Sequence, residues 1–274
     1  NYSLRPLECD IKFTKKNEVN ISLLESKLCG LDLDGQIDFS PAGLDLSLRS
    51  LNQQKELKPI ITCLFTNSSL ITGIFDFEAE VQGKGPVQEF RDSLKGSFNL
   101  QGKNGRVQRW GLLAKIFSML NVAELFQGKL PDLKEEGFAY DSLESSGELL
   151  KGRSIDLKRT IIKGPSMTLV FEGDIDLKEE TLDMQLLVAP LRTVDWFVEK
   201  LPIVKDILGG TLVAVPVRVQ GKWSDPRVVP LSPSAVGSRV VDILTRTLKL
   251  PAKLIHPFFP KDTKDKNDKL KPSD

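Results

Sequence analysis

Residues 167–188, MTLVFEGDIDLKEETLDMQLLV, decide the fold that this sequence predicts. Apolar residues occupy alternate positions from Met167 to Leu177, and the opposite parity carries polar residues such as Thr168 and Glu172. Successive side chains of a β-strand point to opposite faces of a sheet. This spacing therefore predicts a strand with one apolar and one polar face, followed by a second strand of the same kind.

The same alternation recurs along most of the chain, and residues typical of turns separate the stretches. We therefore predict about ten strands and a mainly β (α+β) protein built on a twisted antiparallel sheet. Pro216 stands inside the last stretch, which favours an edge strand or a bulge there. The alternating stretches cover residues 7–13, 19–23, 31–39, 44–48, 75–81, 94–100, 138–150, 155–161, 167–177, 182–188 and 213–223.

Three longer stretches have helical spacing and predict helices at 109–126, 191–208 and 233–256. A short helix is also predicted near 59–65. The last of the three long helices combines an apolar stripe with basic residues, as interfacial membrane helices do. Capping of the sheet would explain the apolar stripes equally well. The candidate membrane or partner contacts are Trp110, Leu113, Phe117, Leu120, Trp196, Phe197, Val240, Leu244 and Leu248.

The charge balance argues against nucleic-acid binding. The chain has 274 residues, with 38 Lys plus Arg against 37 Asp plus Glu, and a net charge of +1. Phosphate binding normally requires a basic excess. We therefore predict no nucleic-acid partner.

The sequence offers few residues for catalysis or for metal binding. Its one histidine, His256, has no visible Ser or Asp partner, and three scattered cysteines form no zinc-ligand pattern. The acids of 32–38 and of 174–176 alternate along strands, which is typical of a solvated face. We predict no enzyme, no metal and no cofactor. The odd cysteine count without tight spacing also argues against a disulfide framework.

Neither a signal peptide nor a run of 18 apolar residues occurs in the sequence, and it begins without Met. We therefore expect a soluble part of a longer chain. Its predicted organisation is a β segment at 1–105, a second segment with the three helices at 106–260, and a disordered Lys/Asp-rich tail at 261–274.

The number of apolar strand faces bears on the architecture. About ten strands with one apolar face each present more apolar surface than three helices of modest length need cover. The sheet must then close into a barrel, fold into a sandwich, or keep an apolar concavity open. The alternation alone leaves these three alternatives open.

A series of short motifs carries a family resemblance. They are Gly137-Phe138-Ala139-Tyr140-Asp141-Ser142-Leu143, Gly147-Glu148-Leu149, Ile155-Asp156-Leu157, Ile162-Lys163-Gly164-Pro165, Gly173-Asp174-Ile175-Asp176-Leu177 and Val219-Gln220-Gly221-Lys222-Trp223-Ser224-Asp225-Pro226. In order and spacing they resemble the C-terminal region of AsmA-like envelope proteins, which include YhdP and TamB relatives. The resemblance covers residues 94–250 well and the first 90 residues only in the style of their strands.

The resemblance implies a long open β-groove with an apolar inner face, of the bridge-like lipid-transfer type. It also implies the periplasmic part of an inner-membrane-anchored protein that helps move phospholipid between the two membranes. The implied partners are phospholipid, the outer membrane or its proteins, and the N-terminal remainder of the chain. The candidate lipid-binding residues are Phe75, Phe77, Phe98, Leu100, Met167, Leu169, Phe171, Leu182, Met184, Leu186, Val213, Val215, Val217 and Val219.

Two other functions remain open. A filled β-domain could scaffold outer-membrane or envelope assembly through its helices and carry no lipid. The basic helix at 233–256, together with the tail, could dock on anionic membrane.

Overall fold

The structure is a computed structural model of the chain. It describes residues 3–14, 17–64, 71–107, 115, 137–165, 167–190, 214–232 and 235–248. The predicted helices at 109–126 and 191–208 lie outside the described residues except for Lys115, and the predicted tail lies wholly outside them.

The described strands form one twelve-stranded antiparallel sheet. Each strand pairs with the strands before and after it in the chain, and β1 and β12 are the edges, so the sheet is not closed into a barrel. The mainly β, antiparallel prediction is confirmed. The strands are β1 (Cys9–Phe13), β2 (Val19–Leu28), β3 (Leu31–Ser40), β4 (Gly43–Glu56), β5 (Ile71–Gly85), β6 (Lys95–Val107), β7 (Phe138–Leu150), β8 (Ser154–Lys163), β9 (Met167–Asp176), β10 (Thr181–Pro190), β11 (Val215–Lys222) and β12 (Arg227–Pro230).

Tight turns explain why so many strands pair with their neighbours in sequence. Cys29 and Gly30 join β2 to β3 and both have positive φ values, 53° and 88°. Two such residues make the turn whose twist matches that of the flanking strands. Lys151 and Gly152, at 51° and 53°, stand in the turn from β7 to β8.

The expectation for Pro216 is met only in part. It lies in β11, which is not an edge strand because β12 pairs with it. The β11–β12 pairing starts at Val217, however, so Pro216 lies just beyond the ladder. Its missing N–H therefore interrupts no β11–β12 pairing.

Three short helices occur among the described residues: α1 (Leu57–Leu64), α2 (Phe90–Ser93) and α3 (Ser238–Leu248). The short helix predicted near 59–65 corresponds to α1. Of the three longer predicted helices, only the third has a described counterpart, which is α3 and is shorter than predicted.

The two faces of the sheet differ. One face carries a core that extends from Val107 in β6 to Val219 in β11 and includes Leu169 and Val217. On the other face a smaller core lies beneath α3, where Val240 packs with Val170, Leu187 and Ala189. Strands β8 to β10 are therefore buried on both faces at this point, which explains their nearly continuous apolar runs.

Candidate functional site

The pairing register shows which side chains share a face of the sheet. Directly paired residues of neighbouring antiparallel strands point to the same side. Val219 pairs with Met184, Met184 with Gly173, Gly173 with Leu157, Leu157 with Gly147, Gly147 with Phe98, and Phe98 with Ala79. We call this side the apolar face. All the candidate lipid-binding residues lie on it except Val213, which is outside the described residues.

One row of paired residues crosses the apolar face without interruption, and we call it the apolar row. It contains no charged residue. All its members are half-buried except Gly221, which is exposed. In order from β1 to β11, the apolar row consists of Cys9, Leu23, Gly35, Leu48, Val81, Gly96, Leu149, Ile155, Ile175, Leu182 and Gly221.

The apolar row is long enough to hold a hydrocarbon chain. Neighbouring strands are about 4.8 Å apart, so ten spacings span roughly 48 Å. One leaflet of a bilayer is about 15 Å of hydrocarbon, half of the thickness of the membrane core. Chains of this length could therefore lie end to end along the apolar row.

Seven of the thirteen described candidate lipid-binding residues are more buried than the members of the apolar row. Several are nearly inaccessible, such as Met167, Leu169 and Val217, each 0% exposed. Phe75, Met184, Leu186 and Val219 are also buried, whereas Phe77, Phe98, Leu100, Phe171, Leu182 and Val215 are half-buried. Of the whole set only Leu182 belongs to the apolar row. These seven buried residues belong to the floor of the apolar face, the part that other side chains cover.

A glycine allows the floor to pack closely where β6 meets β7. A Cβ at Gly147 would stand 2.8 Å from Cε1 of Phe98 and 2.7 Å from the carbonyl oxygen of Asp156. These distances are too short for any larger residue. The Phe98 ring therefore lies against the backbone of β7 at Gly147.

Helix α1 covers another part of the apolar face. Leu57 and Ile60 of α1 pack on Phe75, and Phe77 and Leu100 border the same cluster. The disulfide Cys29–Cys63 ties the last turn of α1 to the β2–β3 turn, with 5.6 Å between the two Cα atoms. The expectation of no disulfide was wrong, because residues 34 apart in sequence are brought together by the docking of α1.

The opposite side of the sheet, which we call the outer face, is charged on the N-terminal strands. Cross-strand ion pairs join Arg49 to Glu78 at 3.0 Å and Lys84 to Asp45 at 2.6 Å. Asp32, one of the alternating acids, contacts two lysines at about 3 Å, and the hydrogen bond from Lys27 lowers its pKa. Exposed pairs of this kind contribute little to stability but keep a face hydrated.

The outer face also has a polar cleft of about 500 Å³ beside the start of α3. The carboxylate of Glu172 lines it, and burial raises the pKa of this group against the opposing effect of Arg239, whose Nε lies 3.5 Å from Oε2. Gly237 N–H donates to Oε1 of Gln185 at 2.7 Å, which ties the start of α3 to β10. The cleft is therefore part of the seat of α3.

The candidate membrane or partner contacts fall into two groups. Trp110, Leu113, Phe117, Leu120, Trp196 and Phe197 lie outside the described residues. Val240 is 0% exposed in the core beneath α3, while Leu244 and Leu248 belong to α3 without a described side chain. Val240 therefore makes an internal contact here, and it could touch a membrane only if α3 left the sheet.

Of the apolar row, only Leu182 was among the lipid-binding residues predicted from the sequence. Leu23, Leu48 and Val81 lie in alternating stretches that were predicted to be strands, and the alternation places their side chains on the apolar face. Their exposure could not be read from the alternation. No signal linked Cys29 to Cys63.

The part of the chain that the structure describes holds neither a cluster of metal ligands nor a membrane-spanning helix. In these residues no group of three or more His, Cys, Asp or Glu side chains is arranged to hold a metal ion. No helix in the same residues is both long enough and apolar enough to cross a bilayer.

The fold places the molecule in the class of open antiparallel β-sheet proteins that have one continuous apolar face. A family model described as YhdP protein matches residues 18–228, well over half of the chain. The chain therefore belongs to the YhdP protein family, a family of cell-envelope proteins of the lipid-transport type, and the resemblance to AsmA-like proteins is confirmed. No curated protein and no solved structure matches the chain.

Proposed function

We propose that this protein binds the acyl chains of phospholipids along the apolar row and helps to move lipid between the inner and outer membranes. The observation that carries the proposal is the continuity of the apolar row. An uncharged, half-exposed apolar track that crosses eleven strands is unusual on a protein surface and normally marks a binding site.

The energetics favour many weak contacts over one strong site. A fully buried methylene gains about 0.8 kcal/mol, and a chain lying on an open row is sheltered on one side only, so it gains roughly half of that. Each position along the row offers a similar surface of Leu, Ile, Val and Gly. A lipid can then advance from one position to the next without crossing a high barrier.

The cell-envelope location also fits the cysteine chemistry. Disulfides persist in oxidising compartments such as the bacterial periplasm and are rare in the cytosol. The Cys29–Cys63 disulfide therefore supports a periplasmic location. Anchoring in the inner membrane by an N-terminal remainder and contact with the outer membrane or its proteins belong to the same proposal, as does the absence of catalysis.

Lipid extraction from the purified protein tests the proposal. The folded chain should carry phospholipid that survives washing and is identified by mass spectrometry of the extract and of the intact complex. The headgroups recovered would name the cargo. A folded, oxidised protein that is free of lipid after expression and takes none from vesicles would refute it.

A scaffolding function is the second candidate, and the filled core favours it. Leu169 and Val217 on the apolar face and Val170 and Leu187 on the outer face are all 0% exposed. These C-terminal strands thus form a solid unit that needs no guest. If scaffolding is the function, a lipid-free protein should still bind its envelope partners.

A further inference from the structure

We propose that the surface beneath α1 is a second hydrocarbon-binding subsite, which α1 covers and the Cys29–Cys63 disulfide keeps closed. This subsite, the covered patch, consists of Leu31, Ile71, Phe75, Phe77 and Leu100. The inference rests on the proposed function, since it concerns ligands of the same chemical class.

The covered patch continues the open part of the apolar face. Phe77 pairs with Leu100, and the next pair along the same strands is Ala79 with Phe98. One pair further, Val81 of the apolar row pairs with Gly96. Consecutive same-face residues are about 6.6 Å apart along a strand, so the covered patch begins about 13 Å from the apolar row.

The chemistry of the covered patch suits an acyl chain. Phe75 is 3% exposed and packs with Leu57 and Ile60 of α1. The centroids of the Phe75 and Phe77 rings lie 6.5 Å apart and their planes meet at 59°. Removal of α1 would expose two phenylalanines and three aliphatic side chains on a surface that already faces the lipid track.

Helix α1 is weakly built for a permanent part of the core. It has eight residues, and isolated helices shorter than about twelve residues are marginal in water. Its docking depends on a few apolar side chains, chiefly Leu57 and Ile60, and on the covalent tie from Cys63 to Cys29. The disulfide raises the local concentration of α1 at its seat, as any short tether does.

Photo-crosslinking to lipid compares the two subsites. Two variants carry p-benzoylphenylalanine, one in place of Leu48 in the apolar row and one in place of Phe75 in the covered patch, which is 3% exposed. Each is mixed with phosphatidylethanolamine and phosphatidylglycerol vesicles and irradiated, either oxidised or after dithiothreitol treatment. The reductant is oxidised to its cyclic disulfide while Cys29 and Cys63 become thiols. Adducts are counted by mass spectrometry.

We expect adducts at position 48 in both states. At position 75 they should be scarce in the oxidised protein and increase by about tenfold when α1 is freed, the change expected when the open state rises from about 10% of the molecules to nearly all of them. The double variant Cys29→Ser with Cys63→Ser should match the reduced protein. Ile60→Asp should open the covered patch with the disulfide intact, while Thr62→Asp, at an exposed position of the same helix, should not.

The outcomes separate the two proposals. Adducts at 48 together with an equal yield at 75 in both redox states would overturn the covered patch and leave the proposed function standing. The same holds if position 75 stays unlabelled in every variant. Absence of adducts at 48 would overturn both.

Discussion

Two charges placed in the apolar row should weaken its binding of a full-length acyl chain. Asp at Leu48 in β4 and at Ile155 in β8 leaves the other nine strands of the row in three uncharged groups of three. Each uncharged group then spans two strand spacings, about 10 Å, whereas a chain needs about 15 Å. Every bound chain must therefore cross a carboxylate.

The cost follows from the contact that is lost. One strand spacing corresponds to about four methylenes, each gaining roughly half of 0.8 kcal/mol on an open surface, so the loss is about 1.5 kcal/mol. That energy corresponds to a roughly tenfold weaker affinity. Titration with the fluorescent fatty acid parinaric acid measures the change.

A matched control separates the apolar row from a general effect of charge. Ser47→Asp with Ser154→Asp adds the same two charges to the same strands on the outer face, where neither residue belongs to the row. The control should bind like the unchanged protein, and thermal unfolding should show both variants folded. Equal weakening in both double variants, or unchanged affinity in the double variant of the row, would refute the reasoning.

Three further predictions test the floor, a buried hydrogen bond and the seat of α3. Leu169→Ala should lower the unfolding free energy by about 3 kcal/mol because it leaves a cavity in the floor. Leu48→Ala, at a half-buried site of the row, should lower it by about 1 kcal/mol or less. Urea titration measures both changes, and equal losses would contradict the assignment of floor and row. Tyr140→Phe should lower the unfolding free energy by about 1 to 3 kcal/mol in the same assay, because the Tyr140 hydroxyl donates a hydrogen bond to the carbonyl oxygen of Thr72 at 2.6 Å. An unchanged unfolding free energy would show that water replaces this hydrogen bond. Burial raises the pKa of Glu172, so its contribution to stability is present below the ordinary pKa of the carboxyl group and is lost as pH rises through the raised value. Glu172→Gln should therefore flatten the loss of stability between acid and neutral pH, as followed by thermal unfolding, and an unchanged slope would exclude this carboxyl as its source.

The order of the strands was largely predictable, and the irregularities within them were not. Period-two alternation located most of the strands, and short turns such as Cys29-Gly30 leave a strand little choice but to pair with its neighbour. Bulges leave no comparable mark on the sequence. The register shift between Asn52 and Lys55, for example, falls in a stretch that merely loses its alternation.

The face of each site residue could be predicted, and its depth could not. Parity alone assigns Leu169 and Leu182 to the same side of the sheet, because each strand alternates strictly. One of these residues is 0% exposed and the other is half-buried, and the difference depends on what packs over each strand. The docking of α1, and with it the Cys29–Cys63 disulfide, could not be predicted for the same reason, because it depends on which elements pack together in the folded chain.

The positions of the bulges explain how the apolar row stays continuous. A shift of one strand by a single residue would turn its apolar side chains to the outer face. The register shifts fall between Leu23 and Ser26, Asn52 and Lys55, Thr72 and Ile74, Ser146 and Gly147, and Leu157 and Thr160. In every one of these strands the shift lies on the floor side of the row. Twist and curvature are thus adjusted where side chains are packed, and the half-exposed edge of the apolar face remains in phase from β1 to β11.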